Sequence, residues 1–188
     1  MNKDLEDLVK DFTKGDHAAF AELVRRYKKK VYSVAYRILK NHLDADDVTQ
    51  EAFVRIYEKR RELRAVSYFS GFLLRIATNY SIDLVRRRQK RFISVEDETE
   101  NLPSVQTEMA NKIAGPDRDI ENRELGDIID RAIDTLPPRQ KLAIILHDVE
   151  GYSMTEAAMA LDCPEATIRS NLHIARAKLR KWLVKRLK

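Results

Sequence analysis

A chain of 188 residues in which 35% are charged, 7% are aromatic and only five each are Gly and Pro has the composition of an all-helical protein with one or two small cores. A single Cys leaves neither a disulfide framework nor a thiolate zinc site, so a reducing cytoplasm is the expected location. No apolar run approaches membrane-spanning length and the start, Met1-Asn-Lys-Asp-Leu-Glu-Asp, is no signal peptide, so no membrane insertion is expected.

Charge is distributed in blocks that suggest the organisation. Residues 1–92 hold 21 basic and 13 acidic side chains, residues 93–120 hold two and seven, and residues 121–188 hold 12 and 10. Two net-basic blocks therefore flank an acidic connector. We expect two small helical domains, 1–92 and 121–188, joined by a flexible acidic linker over 93–120.

In the first block Phe12, Phe20, Leu23, Val24, Tyr27, Val31, Val34, Ala35, Ile38 and Leu39 recur at helical spacing, interrupted at Gly15-Asp16, where the long helix is expected to start. The run from Arg25 to Lys30 reads either as a nucleic-acid patch or as the solvated face of an amphipathic helix. The next helix is expected to begin with Asp44 as its N-cap, with Asp46 and Asp47 favoured by the helix dipole. Val48, Ala52, Phe53 and Ile56 form its buried side, leaving Asp47, Gln50, Glu51 and Arg55 exposed. Three acids this close could hold magnesium in a nuclease, but capping accounts for them without a metal, and no further carboxylate or His cluster stands nearby.

From Tyr68 to Arg91 one helical stripe, Leu73, Ile76, Ala77, Tyr80 and Leu84, is apolar, while Arg75, Asn79, Asp83, Arg86 and Lys90 share another face. That basic face can lie along a nucleic-acid backbone, with Arg87 beside it. Tyr68, Phe69 and Phe72 cluster at its entrance, as single-stranded DNA or a flipped base requires. The alternative is that these aromatics are core residues of a small bundle. The connector that follows lacks sustained periodicity and holds two of the five prolines, which suits a flexible segment.

The C-terminal block ends in the layout of a helix-turn-helix. Ser153 followed by Glu156 is a capping-box signature that starts one helix at Met154, Asp162-Cys163 interrupts it, and Pro164 suits the first position of the second helix. Ile168, Leu172, Ala175 and Leu179 define that helix's buried stripe. At about 100° per residue, Ser170 and His173 point away from the stripe, with Thr167 and Arg169 on its flanks. An ordinary helical hairpin with a solvated polar face would share this pattern. Yet Arg169 to Lys188 contains eight Lys or Arg and no acid, and a one-sign tail points to a phosphate partner.

Taken together these segments resemble the extracytoplasmic-function group of the bacterial sigma-70 family of transcription initiation factors, over nearly the whole chain. Residues 15–27, beginning Gly15-Asp-His-Ala-Ala-Phe, resemble the family's first conserved segment. Asp44-Ala-Asp-Asp-Val-Thr-Gln-Glu-Ala-Phe-Val-Arg resembles its core-polymerase-binding helix, and residues 69–87 resemble the helix that recognises and melts the minus-ten element. Leu136-Pro-Pro-Arg-Gln, residues 148–158 and residues 164–177 resemble the domain that binds the minus-thirty-five element. Three positions depart from the family's pattern: Phe72 stands where Trp is usual, Ala166 where Gly is usual, and Asn171 where Arg is frequent.

The resemblance implies that Asp44, Asp47, Gln50 and Glu51 dock on the clamp helices of the polymerase largest subunit, with a further contact to the flap of the second subunit. It implies that Tyr68, Phe69, Phe72, Arg75, Asn79, Asp83, Arg86, Arg87 and Lys90 bind and melt minus-ten DNA, and that Thr167, Arg169, Ser170, Asn171, His173 and Arg176 bind minus-thirty-five DNA. It further implies an anti-sigma factor as restraint, a linker that threads the polymerase's RNA channel, and no cofactor or catalytic residue. The rival reading is a conventional helix-turn-helix regulator whose N-terminal domain senses a ligand or dimerises. An enzyme acting on nucleic acid is disfavoured because His17, His42, His147 and His173 are scattered and no Gly-rich phosphate loop or nucleophile–base pair is present.

Overall fold

A computed structural model describes residues 4–63, 69–96 and 120–186, and among these there is no β-strand. The chain forms helices α1 (Leu5–Thr13), α2 (His17–Leu39), α3 (His42–Glu58), α4 (Phe69–Glu96), α5 (Ile120–Asp134), α6 (Pro138–Ala143), α7 (Met154–Ala160) and α8 (Glu165–Arg186). Most of the expected connector, residues 97–119, lies outside the described residues, although α4 runs to Glu96, past the boundary expected at 92.

Local chemistry sets the boundaries. Asp16 caps α2 by accepting from the Ala18 and Ala19 N–H groups at 2.7 and 3.2 Å, which satisfies donors that a helix start leaves orphaned. Gly15 precedes it at φ +97°, a backbone conformation that glycine adopts without penalty. The N-cap of α3 is Asn41, not Asp44: the Asn41 Oδ1 accepts from Asp44 N–H at 3.1 Å, and the cap lies three residues before the sequence-based expectation. The capping box is as expected, since the Ser153 hydroxyl accepts from Glu156 N–H while the Glu156 carboxylate accepts from Ser153 N–H at 2.8 Å. Pro164 sits one residue ahead of α8 rather than inside it, its carbonyl accepting from Thr167 and Ile168 N–H. After α6 the ladder widens to an i to i+5 spacing through Ile144–Val149, closed by Glu150 N–H to Ile145 C=O at 3.0 Å.

Helices α1 to α4 close around one apolar core. Phe12, Leu23, Val31, Val48, Ile56, Phe69 and Leu73 are all buried in it. Its centre is aromatic: Phe69 meets Phe12 edge-on at 6.0 Å and Tyr27 at 5.3 Å, in the tilted geometry that ring quadrupoles favour. Helices α5 to α8 build a second core from Ile133, Leu136, Ile144, Leu146, Ile168, Leu172 and Ala175. Val34 of α2 and Leu74 of α4 belong to this second core. The two halves are therefore packed together, with α7 lying along α4. At Gly71 a Cβ would stand 2.4 Å from Met159 Sδ and 3.0 Å from Met159 Cβ, so the close approach of α7 to α4 needs a residue without a side chain.

Candidate nucleic-acid and partner interfaces

Helix α3 is amphipathic in the way its sequence predicts. Val48, Ala52, Phe53 and Ile56 are buried, while Asp47 and Gln50 are exposed and Glu51 is half-buried, its carboxylate accepting from Arg55 Nε at 2.6 Å. Asp44 is different: Arg88 of α4 pairs with its carboxylate, so it braces α3 against α4. Arg55 adds a second brace by lying 5.1 Å over the Tyr80 ring. Sequence reasoning missed two members of the exposed face. Leu43 is 77% exposed and Val54 52%, and the spacing Leu43, Asp47, Gln50, Val54 (i, i+4, i+7, i+11) aligns them in one stripe. The signal was present in that spacing, but the exposed face expected from sequence held only the polar residues Asp47, Gln50, Glu51 and Arg55.

The basic run on α2 is largely engaged within the protein. Glu22 accepts hydrogen bonds from Arg25 and Arg26 at 2.8 Å, and these hold its carboxyl down at about 2. Lys30 lies 5.8 Å over the ring of Tyr152. Of the two readings left open for this run, these contacts favour the face of an amphipathic helix, with Lys28 and Lys29 exposed on it.

The aromatic entrance to α4 separates into different roles. Phe69 has no exposed surface and is a core residue, so it is not available to DNA while the bundle is folded. Phe72 is half-buried against the same core and retains an accessible edge. Tyr68 lies outside the described residues, as does the side chain of Lys90. Asn79, Asp83, Arg86 and Arg87 are exposed. The Arg75 guanidinium is 2.9 Å from Asp162 Oδ2, in the turn between α7 and α8. Asp162 holds that turn at φ +50°, a left-handed conformation that Asp tolerates better than most residues.

On α8 the expected stripe Ile168, Leu172 and Ala175 is buried and Leu179 packs partly against it. Ser170, His173 and Arg169 are exposed, and Thr167 and Asn171 are half-buried. Arg176 is exposed yet makes a bidentate pair with Asp148, with Nε to Oδ2 at 2.9 Å and Nη2 to Oδ1 at 2.6 Å. Asn79, Asp83 and Arg86 of α4 line a cleft of about 730 Å³ whose other wall includes Thr167 and Asn171. Among the described residues no group of three or more His, Cys, Asp or Glu side chains could hold a metal ion, and no helix is long and apolar enough to cross a membrane.

Residues 23–91 match the sigma-70 region 2 family and residues 126–179 match sigma-70 region 4. The chain is 37% identical over 174 residues to the ECF RNA polymerase sigma factor SigE of Mycolicibacterium smegmatis, covering 91% of this chain and 65% of that protein. It thus spans about two thirds of that relative's length. With the ECF RNA polymerase sigma factor SigW of Bacillus subtilis the match is 32% identical and almost end to end, 97% of this chain and 98% of the relative. The fold resembles that of the sigma factor RpoE of Bartonella quintana, solved in complex with the anti-sigma factor NepR, with a TM-score of 0.66 at 23% identity over 87% of this chain and 96% of that one. An all-helical chain that carries both sigma-70 regions in order, and that aligns along its whole length with SigW, belongs to the ECF RNA polymerase sigma factors of the sigma-70 family.

Proposed function

We propose that this chain is a promoter-specificity and promoter-opening factor for RNA polymerase, working in the cytoplasm without chemistry of its own. In this reading residues 1–92 dock on core polymerase and read the minus-ten element, residues 93–120 link, and residues 121–188 read the minus-thirty-five element. The observation that carries the docking assignment is the exposed stripe Leu43, Asp47, Gln50 and Val54 on α3, with Glu51 at its edge. Two apolar residues and a carboxylate on one helical face fit a helical partner with a basic rim, as the polymerase clamp helices would supply.

Melting falls to α4. Phe72 offers a stacking edge to an unpaired base, and Asn79, Arg86 and Arg87 offer hydrogen-bond and phosphate contacts along the same helix. On α8, Ser170 and His173 project toward base edges, with Arg169 and, once released from Asp148, Arg176 on phosphates. The RpoE relative is held by an anti-sigma factor, and a restraint of the same kind suits this chain. Reconstitution with bacterial core RNA polymerase and a genomic fragment library tests the proposal. Run-off transcripts that depend on the added chain are expected; tight, sequence-specific footprinting by the chain without polymerase would instead favour a conventional regulator.

A further inference from the structure

The first turn of α8 holds Glu165, Ala166 and Thr167, and of these only Ala166 is fully exposed. Glu165 is turned back on α7, where its carboxylate accepts from the Thr155 hydroxyl at 2.6 Å. Thr167 is half-buried and lines the cleft opposite α4. Further along the helix Ser170 and His173 are exposed. Ala166, Ser170 and His173 stand at i, i+4 and i+7, so at about 100° per residue they fall within about 60° of one another on a single face. The buried residues Ile168, Leu172 and Ala175 lie about 180–240° round from Ala166, on the opposite side.

We infer that Ala166 is a specificity-determining residue: its methyl group packs on the C5-methyl of a thymine in the upstream element, at the end that the start of α8 meets. The inference rests on the assignment of α8 to minus-thirty-five DNA. A recognition helix enters the major groove with its N-terminal residues on base edges. Ala166 leads the exposed face, ahead of Ser170 and His173, and the rise from it to His173 is about 10 Å, the length of about three base pairs. An Ala side chain has neither donor nor acceptor, so it cannot read the nitrogen and oxygen groups that separate the other bases. What it can read is the thymine methyl, the apolar group on that base's major-groove edge. Gly, the residue usual at this position in the family, has no methyl and makes no such distinction. The Thr155 contact contributes by drawing the Glu165 carboxylate toward α7 and away from the face that Ala166 leads.

The test uses holoenzyme reconstituted from core RNA polymerase and the full chain. Selection from a library randomised upstream gives the element that wild type prefers. Each thymine in it is then replaced by deoxyuridine, which removes the C5-methyl and keeps the pairing and the O4 acceptor. At one thymine this replacement should weaken wild-type binding about fourfold, the equilibrium equivalent of one buried methyl-sized group. In Ala166→Gly the thymine and uracil duplexes should bind alike at that position. Both duplexes meet the same protein, so any loss of helix stability caused by Gly cancels in the comparison. Ala166→Gln, which puts a carboxamide in place of the methyl in a residue that favours helix, should lose the thymine preference at that position and keep the bases recovered elsewhere.

An upstream element without thymine, or one in which no uracil replacement affects wild type more than Ala166→Gly, would overturn the Ala166 assignment and leave α8 on promoter DNA. Retention of the same thymine by Ala166→Gln would also overturn it. Recovery of no upstream element by the wild-type holoenzyme would overturn both readings.

Discussion

Substituting Phe69 and Phe72 separately by Ala splits two adjacent aromatics into a core role and a melting role. Phe69 is fully buried and loses edge contacts to Phe12 and Tyr27 on truncation. A Phe→Ala change in such a site costs about 3–5 kcal/mol, against a total domain stability of about 5–15 kcal/mol. With a urea slope of about 2 kcal/mol per molar, the midpoint should fall by about 2 M. Phe72 is half-buried, so its removal should cost about 1–2 kcal/mol of stability. Its larger effect is expected in strand opening, where a lost stacking contact is worth about 1–3 kcal/mol per unpaired base, or about tenfold in rate. Urea unfolding and promoter opening on duplex and pre-melted bubble templates measure the two quantities. The bubble should rescue Phe72→Ala and leave Phe69→Ala defective. Equal defects of Phe72→Ala on both templates, with a midpoint as low as that of Phe69→Ala, would show that Phe72 is only a core residue.

Charge reversal of Asp47 and Glu51 together should abolish co-purification with core polymerase while leaving the helical circular-dichroism signal unchanged, since neither side chain is in the core; normal co-purification would remove the docking assignment. His173→Ala should change the upstream sequence recovered from a randomised library, whereas Arg176→Ala should weaken all sequences alike and reduce the salt slope by about one unit. Glu156 gives a pH dependence. Burial pushes its carboxyl up, but hydrogen bonds from Ser70 and from the Ser153 backbone and hydroxyl outweigh this and leave it below the ordinary Glu value. A carboxylate whose folded pKa is depressed contributes stability above its unfolded pKa and loses it as pH falls through the folded one. The capping box and the Ser70 contact should therefore weaken as pH falls below about 4, and Glu156→Gln should flatten that part of a stability profile. A wild-type profile that matches the Gln variant throughout would argue against the carboxylate's role.

How much of this was legible in sequence depends on the range of the interaction involved. The buried stripes of α3 and α8, the Asp16 cap and the Ser153–Glu156 capping box are set by residues within four positions of each other, and the 3.6-residue period exposes them directly. The start of α3 was misplaced because Asp44 and Asn41 are both good caps, and the choice between them lies with the turn. Lys40 ends α2 in a left-handed conformation, leaving Asn41 extended and ready to cap. Phe69 and Phe72, three residues apart at the start of α4, look alike in sequence; only the arrival of α1 and α2 on one side buries the first and spares the second.

The packing of the two halves against each other has little sequence signature because of what it is made from. Arg37 and Glu150 are 113 positions apart, and each by itself looks like an ordinary solvated charge on a helix or turn. Val34 fits the periodicity of its own helix, and Leu74 stands off the stripe Leu73, Ile76, Ala77, Tyr80 and Leu84 by a single residue, which does not say that it faces a second core. Gly71 is the one local hint, since a glycine inside a helix costs about 1 kcal/mol relative to Ala and needs a reason. Met159, at 2.4 Å from where a Cβ would stand, supplies that reason. Gly71 lies beside Phe72, so one short segment of α4 carries both the close packing of α7 and the aromatic edge proposed for strand opening.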